Sequence, residues 1–141
     1  MPKRDIDPVK LTLDLVGDGW TFQILKASFF GARRFDDFQI ETGAAPSILS
    51  ARLKKLVDAE IFEKIQYSDH ARRFDYRLTV QGLELYPLII LMRQWGEKWL
   101  GSNDQAIKLK HNPCGKKLNV QVTCSSCGKA VTANDVSWER L

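Results

Sequence analysis

With 141 residues, 44% of them hydrophobic and 27% charged, the chain has the size and mix of one globular domain carrying at most a small appendage. No apolar run approaches the roughly 20 residues of a membrane span, and Met1-Pro2-Lys3-Arg4-Asp5 lacks the apolar stretch of a signal peptide. These features exclude a membrane partner and predict a cytoplasmic location. The net charge of +4 excludes a bulk cationic field: residues 1–100 carry 15 Lys/Arg against 14 Asp/Glu, and the tail carries six against three. Any role involving nucleic acid must therefore rest on local placement.

Asp7-Pro8 opens a first helix, since Asp caps free amides and Pro is tolerated at the first helical position. Val9, Leu13 and Val16 recur at helical spacing until Gly17. A second helix is expected from Asp18 to about Phe29, closed by Gly31. Arg34-Phe35-Asp36-Asp37-Phe38 starts a short third helix that ends near Gly43. Pro46 starts a fourth, to about Ala59, with Leu49, Leu53, Leu56 and Val57 as its buried stripe and Ser47, Ser50, Ala51, Lys54 and Asp58 mostly opposite.

Ile61–Tyr67 and Arg73–Leu78 read as two strands joined by the polar turn Ser68-Asp69-His70-Ala71-Arg72. In the second, Phe74, Tyr76 and Leu78 alternate with Arg73, Asp75 and Arg77, which places the three charges on the outer face. Thr79 caps a long last helix reaching Trp99, kinked at Pro87. Leu83, Tyr86, Ile90 and Leu91 are assigned to the domain core. Leu85, Leu88, Ile89 and Met92 remain over and, with Val9 and Leu13, are assigned to a dimer interface. Trp20, Phe22 and Trp95 read as core aromatics rather than a ligand box; a small-molecule effector stays open and unidentified.

Three helices, a fourth with small and basic residues on one face, and a basic hairpin form the outline of a winged helix-turn-helix. On that outline the fourth helix enters the major groove of double-stranded DNA. Ser47, Ser50 and Ala51 approach base edges, while Arg52, Lys54 and Lys55 meet phosphates. Arg72 and Arg73 at the wing suit a narrow minor groove, and Arg33 and Arg34 are candidate backbone clamps.

At this point the segments Leu13–Thr21, Arg33-Arg34-Phe35, Leu49–Leu53 and Tyr76–Thr79 with Gly82 and Trp95-Gly96 are similar to the HxlR-type winged-helix transcriptional regulators, relatives of the MarR regulators. The resemblance covers roughly 90 of the 141 residues. It implies a homodimer that binds a pseudo-palindromic operator, with repression the commoner outcome, and dimer contacts from the first and last helices. Family members often carry a sensing cysteine just before the proline of the first helix; here that residue is Asp7.

Gly101–Gln105 reads as a polar linker, within a division into 1–100, 101–107 and 108–141. All three cysteines lie beyond it. His111-Asn112-Pro113-Cys114-Gly115 and Cys124-Ser125-Ser126-Cys127-Gly128 share one form, and nine residues separate Cys114 from Cys124. His111, Cys114, Cys124 and Cys127 together suit a closed, structural tetrahedral Zn²⁺ site in a zinc-ribbon-like module. A Cys124–Cys127 redox pair and metal-free structure are the competing readings. The chain is read as having no internal repeats and no low-complexity tracts. The sequence thus predicts a mainly α protein with a small antiparallel β-hairpin (α+β) and no catalytic constellation. Two alternatives to a DNA-binding regulator are a protein-interaction adapter and a regulator sensing through the tail cysteines.

Overall fold

The computed structural model describes residues 7–66, 73–101 and 107–139. It divides into two compact units, Met1–Ile89 and Ile90–Leu141. The division falls within the last helix rather than in the polar segment after Trp99.

In the first unit, α1 (Pro8–Val16) is capped by Asp7, whose Oδ1 accepts from Val9 N at 2.9 Å. It ends at Gly17, where a Cβ would lie 2.4 Å from the Leu13 carbonyl oxygen, so only glycine fits. α2 (Gly19–Phe29) is capped by Asp18. α3 (Phe35–Thr42) begins where Asp37 Oδ2 accepts from the amides of Arg33 and Arg34, at 3.2 and 3.0 Å. It stops at Gly43, whose φ of +68° is a left-handed conformation that glycine adopts at little cost. The turn Gly43–Ala45, with Ala44 buried, leads into α4 (Pro46–Asp58).

Ile24, Leu25, Phe38, Leu49, Leu53 and Leu56 are each at most 1% exposed and form the centre of the core. Burying each such side chain contributes about 1.5–3 kcal/mol. Phe38 also packs near Phe62 and edge-on to Tyr76, with ring centroids 5.9 and 6.2 Å apart.

β1 (Phe62–Gln66) and β2 (Phe74–Leu78) pair antiparallel, with Phe62 opposite Leu78 and Gln66 opposite Phe74. Tyr76 N donates to Arg33 O at 2.7 Å, so the segment before α3 lies along the hairpin. The turn between the strands, including His70 and Arg72, lies outside the described residues. The expected alternation of β2 is only partly realised. Asp75, assigned to the outer face, is buried, while Phe74, Tyr76 and Leu78 are half-buried. Two guanidinium groups make this possible: Arg34 Nε lies 3.7 Å from Asp75 Oδ1 and Arg77 Nη2 lies 3.4 Å from Oδ2.

The long last helix is interrupted. α5 (Val80–Leu83) is capped by Thr79, and α6 (Tyr86–Trp99) begins afresh with Pro87 in its first turn. An unbroken helix would drive the Pro87 ring into the Leu83 carbonyl, and the chain relieves that clash by restarting. The restart rotates the apolar residues relative to the expected face. Ile89 joins the core and Leu85 packs against it, which corrects their assignment to a dimer interface. Leu83 and Tyr86, assigned to the core, are exposed instead. Gly82 is fixed by close approach, for a Cβ there would lie 2.3 Å from Ile61 O.

In the second unit, α6 is followed by two small hairpins. His111 N donates to Lys116 O at 2.9 Å, Gly115 N to His111 O at 2.8 Å, and Leu118 N to Leu109 O at 2.8 Å. Thirteen residues on, Cys124 N donates to Lys129 O, Gly128 N to Cys124 O and Val131 N to Val122 O, at 2.9, 2.7 and 2.9 Å. Bridges Lys110–Lys117 and Thr123–Ala130 occupy matching places. The tail is thus an internal repeat of backbone design, which corrects the expectation that the chain has none: the two halves share only the spacing of His111/Cys114/Gly115 and Cys124/Cys127/Gly128, too little for the sequence to show it. Gln94 anchors its midpoint: the amide nitrogen donates to Val120 O and the amide oxygen accepts from Val120 N, both at 2.8 Å.

Candidate nucleic-acid interface

α3 and α4 form the helix-turn-helix, and charge separates their roles. α3 exposes Asp36, Asp37 and Glu41, a face that phosphates would repel. α4 has no acidic residue before Asp58. Its buried stripe of Leu49, Leu53 and Leu56 leaves Ser47, Ser50, Ala51 and Lys54 exposed together on the opposite side. The small side chains leave the backbone accessible, and the two hydroxyls can donate or accept.

The basic residues predicted around this face have specific partners. Arg52 Nε contacts Asp18 Oδ2 at 2.9 Å, tying α4 to the N-terminus of α2. Lys55 Nζ donates to Asp14 O at 2.8 Å. Arg33 Nη1 donates to the carbonyls of Ser28 and Ala32, both at 3.0 Å, and so closes the C-terminal end of α2. Among the described residues Lys54 has only the surface pair with Asp58 at 3.4 Å, and its side chain is 80% exposed. Arg73 is exposed just before β2, whereas Arg72 lies outside the described residues.

Two carboxylates missed by the sequence reading organise this region. Burial raises the Asp18 carboxyl, but hydrogen bonds from Thr21 and Arg52 outweigh it and hold its pKa below the ordinary value. Asp75 is the other, because it aligns Arg34 and Arg77, each about half exposed, on one edge of the hairpin. The alternation of charge in β2 concealed it; an acidic residue flanked by arginines at a strand position was the available signal.

The predicted apolar interface residues divide. Val9 and Leu13 on α1 are exposed, as are Leu88 and Met92 on α6, where Trp95 and Trp99 join them. Trp20 and Trp95 are not core aromatics: they are 37% and 59% exposed, whereas Phe22 packs against the core.

In the tail, His111 Nδ1 and Cys114 Sγ lie 3.6 Å apart. The amides of Ser126 and Cys127 donate to Cys124 Sγ and hold its thiol below the ordinary cysteine pKa. Among the described residues, no three His, Cys, Asp or Glu side chains gather at metal-binding distance. Nor is any described helix long and apolar enough to cross a membrane.

Comparison with known proteins agrees with this anatomy. Residues 15–104 match the family described as HxlR-like helix-turn-helix. A helix-turn-helix transcriptional regulator from Mycobacterium tuberculosis is 37% identical over 134 residues, covering 94% of this chain and 85% of the relative. The crystal structure of PA1607, described as a transcription factor, superposes with a TM-score of 0.84 at 34% identity, over 98% of this chain and 97% of that one. The redox regulator HypR in its reduced form gives a TM-score of 0.60 at 29% identity, over 65% of this chain and 92% of its own. The first two similarities include the tail; the third does not extend over the whole chain.

Proposed function

Since the chain belongs to the HxlR-like helix-turn-helix family of transcriptional regulators and carries that family's DNA-binding domain, we propose that it acts as a cytoplasmic homodimeric repressor on a pseudo-palindromic operator. The observation that carries this reading is the exposed face of α4. Ser47, Ser50 and Ala51 offer close approach to base edges, and Lys54 extends from the same face towards a phosphate. Arg73, with Arg34 and Arg77 held by Asp75, supplies the flanking backbone contacts. Arg52 and Lys55 act mainly within the protein, fixing α4 against α2 and α1.

Two copies are needed because one helix with a small, modestly polar face offers little discrimination. Val9 and Leu13 on α1, and Leu88 and Met92 on α6, provide apolar surface that association would remove from water. Selection from a random pool of duplex DNA by the intact chain tests the reading. It should enrich an inverted repeat whose half-sites are centred about one helical turn, 10–10.5 bp, or a multiple of it apart. Enrichment of single half-sites, or no enrichment, would refute it. Repression is read separately from an operator-linked reporter, whose output should rise when the gene is removed.

A further inference from the structure

We propose that His111, Cys114, Cys124 and Cys127 bind one Zn²⁺ per chain and that this ion holds the tail closed. Three observations lead there. First, the two hairpins repeat one backbone design, with left-handed glycines directly after Cys114 and Cys127, at φ of +71° and +73°. A turn that places two ligands three residues apart ahead of such a glycine is what a metal knuckle requires.

Second, the first turn already has the spacing for a shared ion. Tetrahedral zinc with Zn–S of about 2.3 Å and Zn–N of about 2.05 Å separates sulfur from nitrogen by about 3.6 Å. His111 Nδ1 and Cys114 Sγ stand 3.6 Å apart.

Third, no residue from 107 to 139 is buried. The segment has no apolar core of its own, and an ion that joins its two halves would supply the missing stabilisation. Free cysteine is ordinarily among the most buried residue types, yet Cys114 and Cys127 are exposed and Cys124 is half-buried. The four side chains do not form one group here, so binding a shared ion entails bringing the two turns together.

The test uses the full-length chain, stripped of metal under reducing conditions and titrated with Co²⁺ and then Zn²⁺. One equivalent of Co²⁺ should develop the visible spectrum of a tetrahedral thiolate site, and Zn²⁺ should displace it. C114S and C124S should each weaken binding at least about 100-fold, since even partners outside the ligand shell cost 10–100-fold. H111C should retain a tetrahedral site. An octahedral spectrum, half an equivalent or less per chain, or unchanged affinity in C114S would overturn the proposal. So would a Cys124–Cys127 disulfide with no metal in the freshly purified protein. The Co²⁺ spectrum of the unaltered chain decides the matter even if a variant misfolds.

Discussion

Replacing Lys54 with alanine isolates one proposed phosphate contact from everything else α4 does. The side chain is 80% exposed, and among the described residues its one ion pair is the i,i+4 pair with Asp58 at 3.4 Å. Such a pair contributes about 0.3–0.5 kcal/mol, so K54A should leave the unfolding midpoint nearly unchanged. DNA affinity should respond differently. Each lost phosphate contact reduces the slope of log K against log salt by about 0.9, and a dimer loses two, or about 1.8. Between 50 and 200 mM salt, the ratio of wild-type to variant affinity should then shrink about 12-fold. Fluorescence anisotropy on the selected operator, repeated at four or five salt concentrations, measures the slope directly. An unchanged slope would refute the placement of Lys54 at a phosphate. A changed slope accompanied by lowered stability would show that its role within the protein had been underestimated.

Other perturbations probe the scaffold and the assembly. G82A places a methyl group 2.3 Å from the Ile61 carbonyl oxygen and should destabilise the first unit by about 1–3 kcal/mol in urea unfolding, whereas a neutral effect would mean that the α5 turn shifts freely. Asp18 has a folded pKa below its ordinary value of 3.8, so its stabilisation is present above that value and is lost as pH falls through the folded pKa. The stability difference between wild type and D18N should therefore narrow from pH 6 to pH 3, and a constant difference would contradict this. L88D combined with M92D should yield a monomer by sedimentation velocity at micromolar concentration, with the helical circular dichroism signal retained. A persistent dimer would move the interface away from α6.

The helical part of the fold was legible because its boundaries carry local chemistry. Asp7, Asp18, Gly43 and Pro46 each act through a backbone group within a few residues, and the helices start or stop where those residues demand. The face of α4 was legible for a similar reason, since three leucines at helical spacing determine what lies opposite. What escaped notice depends on contacts distant in sequence. Arg52 meets Asp18 across 34 residues and Lys55 meets Asp14 across 41, so both looked like free cations. Asp75 looked like surface until Arg34 and Arg77 were seen around it. The restart at Tyr86 shifts the phase of the last helix, so the periodicity of one continuous helix places Leu83, Leu85, Tyr86 and Ile89 on the wrong sides.

The clasp between Gln94 and Val120 has a consequence for communication along the chain. A side-chain amide here imitates the edge of a neighbouring strand, giving and taking one hydrogen bond at the same residue. The match depends on orientation: rotate α6 about its axis and both bonds are lost together rather than traded for others. Substituting Glu, which differs by one atom, would set an oxygen against the Val120 carbonyl and make that contact repulsive. The tail is therefore keyed to the angular setting of α6. A change in that setting would break both hydrogen bonds at Val120 at once.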